Sequence, residues 1–265
     1  MVEKRYSKKN EIGFQENKPN YSYIKQQNIN GQFFDPEYYN YLKVYDYKEK
    51  IRIGNKFDGG YVISDISDYD CYISAGVGDD ESFSDELIKK YNLKFDNCFS
   101  FDNTIEKKPK NYPIGMKHMS LNISDVNNTT ETNLLDYFSN KNNVFLKMDI
   151  EGGELIWLRF IDKTILSKIK QMVIEFHDLD TKKNEVIKIL EKINETHYLI
   201  HAHGNNHAHV KSLIPSVIEL TFLRKTEFEN DPVLNTNILP SSIDYPNNKN
   251  IADIDLGYEP FVFKK

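Results

Sequence analysis

From Cys71 onward, short apolar runs alternate with segments whose apolar residues recur every three or four positions. That alternation predicts parallel strands joined by crossover helices. CYISA at 71–75 reads as the first core strand, and in the SFSDELIKKY that follows, Phe83, Leu87, Ile88 and Tyr91 share one helical face. NCFSF (97–101), MKHMSLNI (116–123) and NVFLKMDI (143–150) read as the next three strands, with LLDYF on a short helix before the last and ELIWLRFI on a helix after it. QMVIEFH (171–177) is a fifth strand. The plainest helix comes next: Val186, Ile189, Leu190 and Ile193 fall at i, i+3, i+4 and i+7, with Thr181 as its expected cap. YLIHAH and SVIELTFL, joined by a Gly-, Asn- and His-rich loop, complete the sheet as an antiparallel pair. The expected architecture is a doubly wound, Rossmann-like α/β fold with a seven-stranded sheet, mostly parallel, closed by one antiparallel strand and preceded by an N-terminal extension.

The flanks read differently. Residues 1–33 are rich in Lys, Asn and Gln without sustained periodicity, which predicts a flexible arm. Within 34–70, Asp35-Pro36-Glu37 opens a Tyr-rich docking helix, and IRIGNKFDGGYVISD reads as strand, tight turn at Asp58-Gly59-Gly60, strand. The core domain is thus expected over 71–225, and 226–265, punctuated by Pro232, Pro240, Pro246 and Pro260, as a loop-rich tail packed on it. The aromatic segment from Phe33 to Tyr47 has two uses open to it, capping the active site or forming a homodimer contact.

Composition narrows the classes. A formal charge of -6 gives no electrostatic reason to expect nucleic acid. Two cysteines, Cys71 and Cys98, are too few for a disulfide framework and too far apart for a CxxC metal site. The polar N-terminus carries no signal-peptide core and no run approaches membrane-span length, so a cytoplasmic protein without a membrane span is expected.

Candidate chemistry begins at Gly76-Val77-Gly78, where the first core strand turns into its helix, the usual ligand crevice of such a sheet. The next residues are Asp79-Asp80-Glu81, with glutamate where a dinucleotide fingerprint has its third glycine. Carboxylates crowded at a helix N-terminus oppose a diphosphate and not a sulfonium, so the turn favours S-adenosylmethionine over NAD. Helix capping accounts more simply for Asp80 and Glu81. Asp102, ending the second strand, is placed to accept both ribose hydroxyls. Asn122 and Asp125 are candidate contacts on the adenine side.

The most specific stretch is VFLKMDIEGGE (144–154): an apolar strand broken by Lys147, then Asp149 and Glu151, then two glycines opening a helix. Here the sequence resembles the FkbM-like family of S-adenosylmethionine-dependent methyltransferases. DGGY (58–61), SAGVGDDESF (74–83), IEFH (174–177), HAHGNNH (201–207) and IELTF (218–222) agree in order. The resemblance implies that Gly76, Gly78 and Asp102 bind the cofactor and that Asp149 faces the methyl group and acceptor.

Methyl transfer to a hydroxyl is an in-line displacement that needs alignment and a base, a metal, or both. Asp149, Glu175 and His177 lie near the ends of adjacent expected strands, so His177 is the expected general base, with Asp149 and Glu175 as acceptor or metal ligands. The same three would suit Mg²⁺ or Mn²⁺. Asp58, Glu151, His203, Asn205 and Asn206 are candidate acceptor contacts. His201, His203, His207 and His209 lie close in sequence, but no third ligand stands at zinc spacing. The leading reading is O-methylation of a sugar, nucleotide-sugar or glycan. Methylation of a lipid, a polyketide or RNA, a non-catalytic cofactor-binding protein and a dehydrogenase of the same fold remain as alternatives.

Overall fold

The computed structural model describes residues 36–208 and 213–264. The expected arm 1–33, Asp35 and His209 lie outside the described residues. In chain order the elements are α1 (Pro36–Tyr39), β1 (Lys50–Gly54), β2 (Gly60–Ser64), β3 (Cys71–Ala75), α2 (Ser82–Lys90), β4 (Cys98–Phe101), β5 (Lys117–Met119), β6 (Asn122–Ile123), β7 (Glu131–Thr132) and β8 (Val144–Met148). There follow α3 (Glu154–Phe160), α4 (Lys163–Leu166), β9 (Ile169–Phe176), α5 (Lys183–Thr196), β10 (His197–Gly204) and β11 (Ile218–Arg224).

The main sheet has seven strands in the order β10-β11-β9-β8-β3-β4-β5. Only β11 runs against its neighbours β9 and β10, whereas β3, β4, β5, β8 and β9 pair in parallel. The mixed α/β fold and the mostly parallel seven-stranded sheet are as the pattern predicts. β3 lies centrally, with β4 on one side and β8 on the other, so the chain reverses its direction of travel there and leaves a crevice at the strands' carboxyl ends.

Alternation along the strands separates two apolar clusters. Cys71, Ile73 and Ala75 of β3 and Val144, Leu146 and Met148 of β8 join the larger, which includes Leu155 and Trp157 of α3 and Val186, Ile189, Leu190 and Ile193 of α5. Tyr72 and Phe145, pointing the other way, join Phe83, Leu87 and Ile88 of α2 and Ile53, Tyr61 and Ile63 of the β1–β2 hairpin. The hairpin is tied to the sheet by hydrogen bonds as well. Gln171 receives the Ser64 amide at 2.7 Å and returns a bond to its carbonyl, and the Thr221 hydroxyl donates to Val62 O at 2.6 Å.

Three local expectations need correction, and the short helix expected at LLDYF is present with a detail added. The third strand ends at Met119, where a turn closed by Leu121 N on Met119 O diverts the chain, so Asn122–Ile123 pairs instead with Glu131–Thr132 in a separate small sheet. LLDYF is a 3-10 helix over Leu135–Phe138, entered through Leu134 at φ 64. Thr181 does not cap α5: that position belongs to Lys182, while the Thr181 amide and hydroxyl both turn back to Asp178 O. The Tyr-rich segment is helical for only four residues. Beyond them Val44 bridges Leu199, so this segment covers the open edge of β10, where unpaired strand groups would otherwise face solvent.

Trp157 anchors the larger cluster. Fully buried, it stacks on Phe138 at 6.1 Å and donates from Nε1 to Asn133 O at 2.8 Å. Trp157→Ala is expected to lower stability by about 3–5 kcal/mol through the cavity and the orphaned carbonyl. Denaturant unfolding followed by circular dichroism checks this, because the variant loses the chain's single tryptophan.

Candidate active site

The glycine turn is locked to two strands. Gly76 (φ 85) passes so close to the end of β8 that an added Cβ would lie 1.7 Å from Asp149 O. Its amide donates to Phe101 O at 3.0 Å and its carbonyl receives Lys147 Nζ at 2.6 Å. Gly78 (φ 57) is different: a Cβ there would meet nothing within 4 Å, so the turn opens to space on this side. Lys147, the break in the apolar run of β8, is therefore the buried post beneath the turn. It also offsets Glu81, whose carboxyl burial pushes up to about 7 although Lys147, Ser84 and Ser74 pull it back. Asp80 accepts from the Ser82 amide at 3.0 Å and from Asn111 Nδ2 at 2.9 Å.

Asp102 closes the turn from β4. Its Oδ2 accepts from Val77 N at 3.0 Å and Gly78 N at 3.1 Å, and its Oδ1 from the Thr104 amide at 2.7 Å and hydroxyl at 2.6 Å. Partial burial disfavours its charge, but these donors outweigh it and hold the carboxyl below its usual value. Asn122, on β6, and Asp125 are exposed, and Asp125 accepts only a long bond from the Ser124 hydroxyl at 3.3 Å.

Strand register builds the second half of the site. Met148 of β8 stands opposite Ile174, so Asp149 reaches the level of Glu175. Glu175 pairs with Glu219 of β11, and Glu219 pairs with His203 of β10. One line of acid and imidazole thus crosses four strands on the hairpin's side of the sheet. Tyr61 of β2 overhangs it and donates to Asp149 Oδ2 at 3.1 Å. Ligand atoms of Asp149, Glu175 and His177 all lie within 4.8 Å of one another.

His177 is held between carboxylates, Nδ1 at 3.2 Å from Glu154 Oε1 and Nε2 at 3.3 Å from Glu175 Oε1, with the exposed Glu151 at 3.8 Å. Burial opposes its charge, but Glu154 and Glu175 overcome this and drive its basicity well above that of free imidazole. Glu175 moves upward too, through burial and then the charge of Asp149. An imidazolium has no lone pair to receive a proton. A charged His177 would act by holding a proton between its carboxylate neighbours, and as general base only once deprotonated.

The remaining candidates divide. Asn205 Nδ2 bridges both oxygens of Glu175 at 3.2 Å, placing it in the cluster. His203 donates to Glu219 at 3.1 Å and to Asp253 at 3.0 Å. Asp58 is exposed at the rim and meets Asn247 Nδ2 at 3.3 Å. Asn206 is bonded to the tail: its amide donates to the carbonyls of Asn248, Ile251 and Ala252, and its oxygen accepts from Asn248 N. His201, paired with Asp244 at 2.9 Å, likewise holds the tail.

Tyr61, Lys147, Glu154 and Glu219 stand inside the motifs that carry the resemblance but have no site role assigned from them. Asn247 lies outside every such motif and left no trace in the sequence.

A sequence model of the Methyltransferase FkbM domain matches residues 64–206, more than half of the chain. No curated protein matches.

His203 carries a testable linkage. Burial lowers its affinity for a proton, but Glu219 and Asp253 raise it well above the ordinary value. A folded-state value raised above an unfolded one of about 6.5 stabilises fully below that pH and less as pH rises toward the folded value. The Tm deficit of His203→Gln relative to wild type should accordingly be larger at pH 6 than at pH 9. Equal deficits at both would show that His203 is neutral in the fold.

Proposed function

The chain belongs to the FkbM methyltransferase family, and from that premise we propose that it is an S-adenosylmethionine-dependent O-methyltransferase acting on a hydroxyl of a sugar, nucleotide-sugar or glycan. The observation that carries this is the contact of Gly76 with Asp149 main chain, which joins an open glycine turn to a line of acid and imidazole at the same strand ends. Methyltransferase membership implies S-adenosylmethionine as donor. We read the sheet as doubly wound, supported by an apolar cluster on each face. In this reading 71–225 forms the methyltransferase domain, and the additions at 34–70 and 226–265 contribute Tyr61 and Asn247 to the acceptor side.

The cofactor, when bound, supplies a methyl carbon activated by a sulfonium. Gly76, Gly78 and Asp102 would hold it, with Asn122 and Asp125 on the adenine side, and the open space at Gly78 fits a ligand there. Of the four donors to Asp102, the Thr104 hydroxyl alone is not main chain, and it is the one a ribose hydroxyl can replace. Asp149 is the base we favour: Tyr61 orients it, and it is less buried than Glu175. It takes the acceptor's proton as the oxygen–methyl bond forms and the carbon–sulfur bond breaks, its electron pair returning to sulfur. Glu175 and His177 hold a proton beside it and keep the acceptor side from accumulating negative charge.

A second component rests on the donor set. Two carboxylates and an imidazole backed by a further carboxylate, Glu154, match the ligands and outer support of a divalent site. With the proton between Glu175 and His177 released, Asp149, Glu175 and His177 would hold Mg²⁺ or Mn²⁺ in its place, which would lower the pKa of a bound hydroxyl. Membrane attachment through a spanning helix is not part of this reading: among the described residues no helix is long and apolar enough to cross a bilayer.

Calorimetric titration with S-adenosylmethionine tests the donor. Asp102→Ala frees the amides of Val77 and Gly78 and should weaken binding about tenfold or more, equivalent to about 1.4 kcal/mol. Undiminished affinity, or binding of NAD instead, would remove the cofactor assignment. Asp149→Asn should retain cofactor affinity and lose at least about a hundredfold in methyl transfer across a carbohydrate panel. Metal-dependent protection should appear as a higher Tm with Mn²⁺ in wild type and no shift in His177→Gln.

A further inference from the structure

Asp58, Glu219 and Asn247 form a wall of the site that methyl transfer itself does not use. Asn247, in the tail, is buried and donates from Nδ2 to Glu219 Oε1 at 2.7 Å and to Asp58 Oδ1 at 3.3 Å. Its Oδ1 belongs to the same planar carboxamide, so it lies at the same wall, and it has no hydrogen-bond partner among the described residues. A buried carbonyl oxygen without a donor bears its full desolvation cost. The position therefore calls for a donor that the surrounding side chains do not supply.

Charge indicates what kind of donor. Glu219 Oε2 is matched by His203, and Glu175 by His177 and Asn205. Asp58 forms no ion pair among the described residues. Nearby Lys56 and Arg52 lie over the Tyr245 ring, at 4.8 and 5.6 Å from its centroid. Burial first, and then the charges of Asp149, Glu175, Glu219 and Asp58, raise the Tyr61 phenol, whose hydroxyl lies 3.1 Å from Asp149 Oδ2. That hydroxyl has one proton, already given to Asp149. The wall consists of acceptors and is short of both donors and positive charge. A neutral hydroxyl answers one acceptor, whereas an ammonium group carries three donors and a charge.

We propose that Asp58, Glu219 and Asn247 form a subsite beside Asp149 that takes a protonated amine of the acceptor, making the acceptor an amino sugar or another polyhydroxylated amine. This rests on Asp149 facing the acceptor, as in the reading above. Asp58, Glu219 and Asn247 all lie outside residues 64–206, so the matched segment does not itself supply the subsite.

The test is calorimetric titration at pH 7, in EDTA, with glucosamine, glucose and N-acetylglucosamine, each with and without saturating S-adenosylhomocysteine. Glucosamine should bind about tenfold or more tightly than either neutral sugar. Asp58→Asn and Asn247→Leu should each bring the three within about threefold while leaving S-adenosylhomocysteine affinity unchanged. Asp58 is exposed, so its variant reports even if Asn247→Leu fails to fold. Glucosamine binding no tighter than glucose, no binding of glucosamine, a preference that survives Asp58→Asn, or one that appears only when Mg²⁺ replaces EDTA would each overturn the proposal. A protein that prefers glucosamine but does not bind S-adenosylhomocysteine would keep the subsite and refute the methyl-transfer reading.

Discussion

The approach of Gly76 to the main chain of Asp149 is the constraint on which the site depends. Any side chain at Gly76 would occupy the space of Asp149 O, and the Asp149 amide is itself bonded to Ala75 O at 2.9 Å. The glycine turn and the first acid of the line from Asp149 to His203 are thus one junction at the ends of β3 and β8. With Lys147 beneath that junction and Asp102 across it, the turn is set by strand geometry rather than by loop preference. Such preorganisation is what a displacement reaction requires, because small misalignments of the reacting atoms cost rate steeply.

Electrostatics impose the second constraint. Burying Glu154, Glu175 and Glu219 side by side is tolerable only because imidazoles stand between them or at their ends, with His177 serving the first two and His203 the third. Isolated buried charge is costly, and here the three acids of one register line, Asp149, Glu175 and Glu219, have His177 beside them and His203 at the end of the line. The pairing also changes what the imidazoles can do. A histidine set between two carboxylates is favoured in its protonated form, whose two N–H groups satisfy both.

Much of the framework is legible in the sequence because apolar runs and helical spacing are local properties. CYISA, NVFLKMDI and QMVIEFH declare their strands, and the 186–193 spacing declares α5. The kink after Met119 and the failure of Thr181 as a cap are not legible, since each depends on one backbone bond competing with its neighbours. At the site, Gly76, Gly78, Asp102 and Asp149 are visible as a turn and strand ends. The nearness of Asp149, Glu175 and His177 is visible too, as adjacent strand ends, but the place of Glu219 between Glu175 and His203 is not, because it exists only once antiparallel β11 inserts between β9 and β10. Glu154 looks like an ordinary first-turn helix residue until its burial against His177 is seen.

The clamp at Asn206 has a further consequence. Every bond it makes to the tail goes to a main-chain atom, the carbonyls of Asn248, Ile251 and Ala252 and the amide of Asn248. A grip of that kind does not read side chains. Exchange at 247 would therefore leave these four bonds in place, as substitution in a binding loop leaves its scaffold. On the subsite proposed above, such an exchange would change which acceptor is chosen while the methyl-transfer machinery stays as it is.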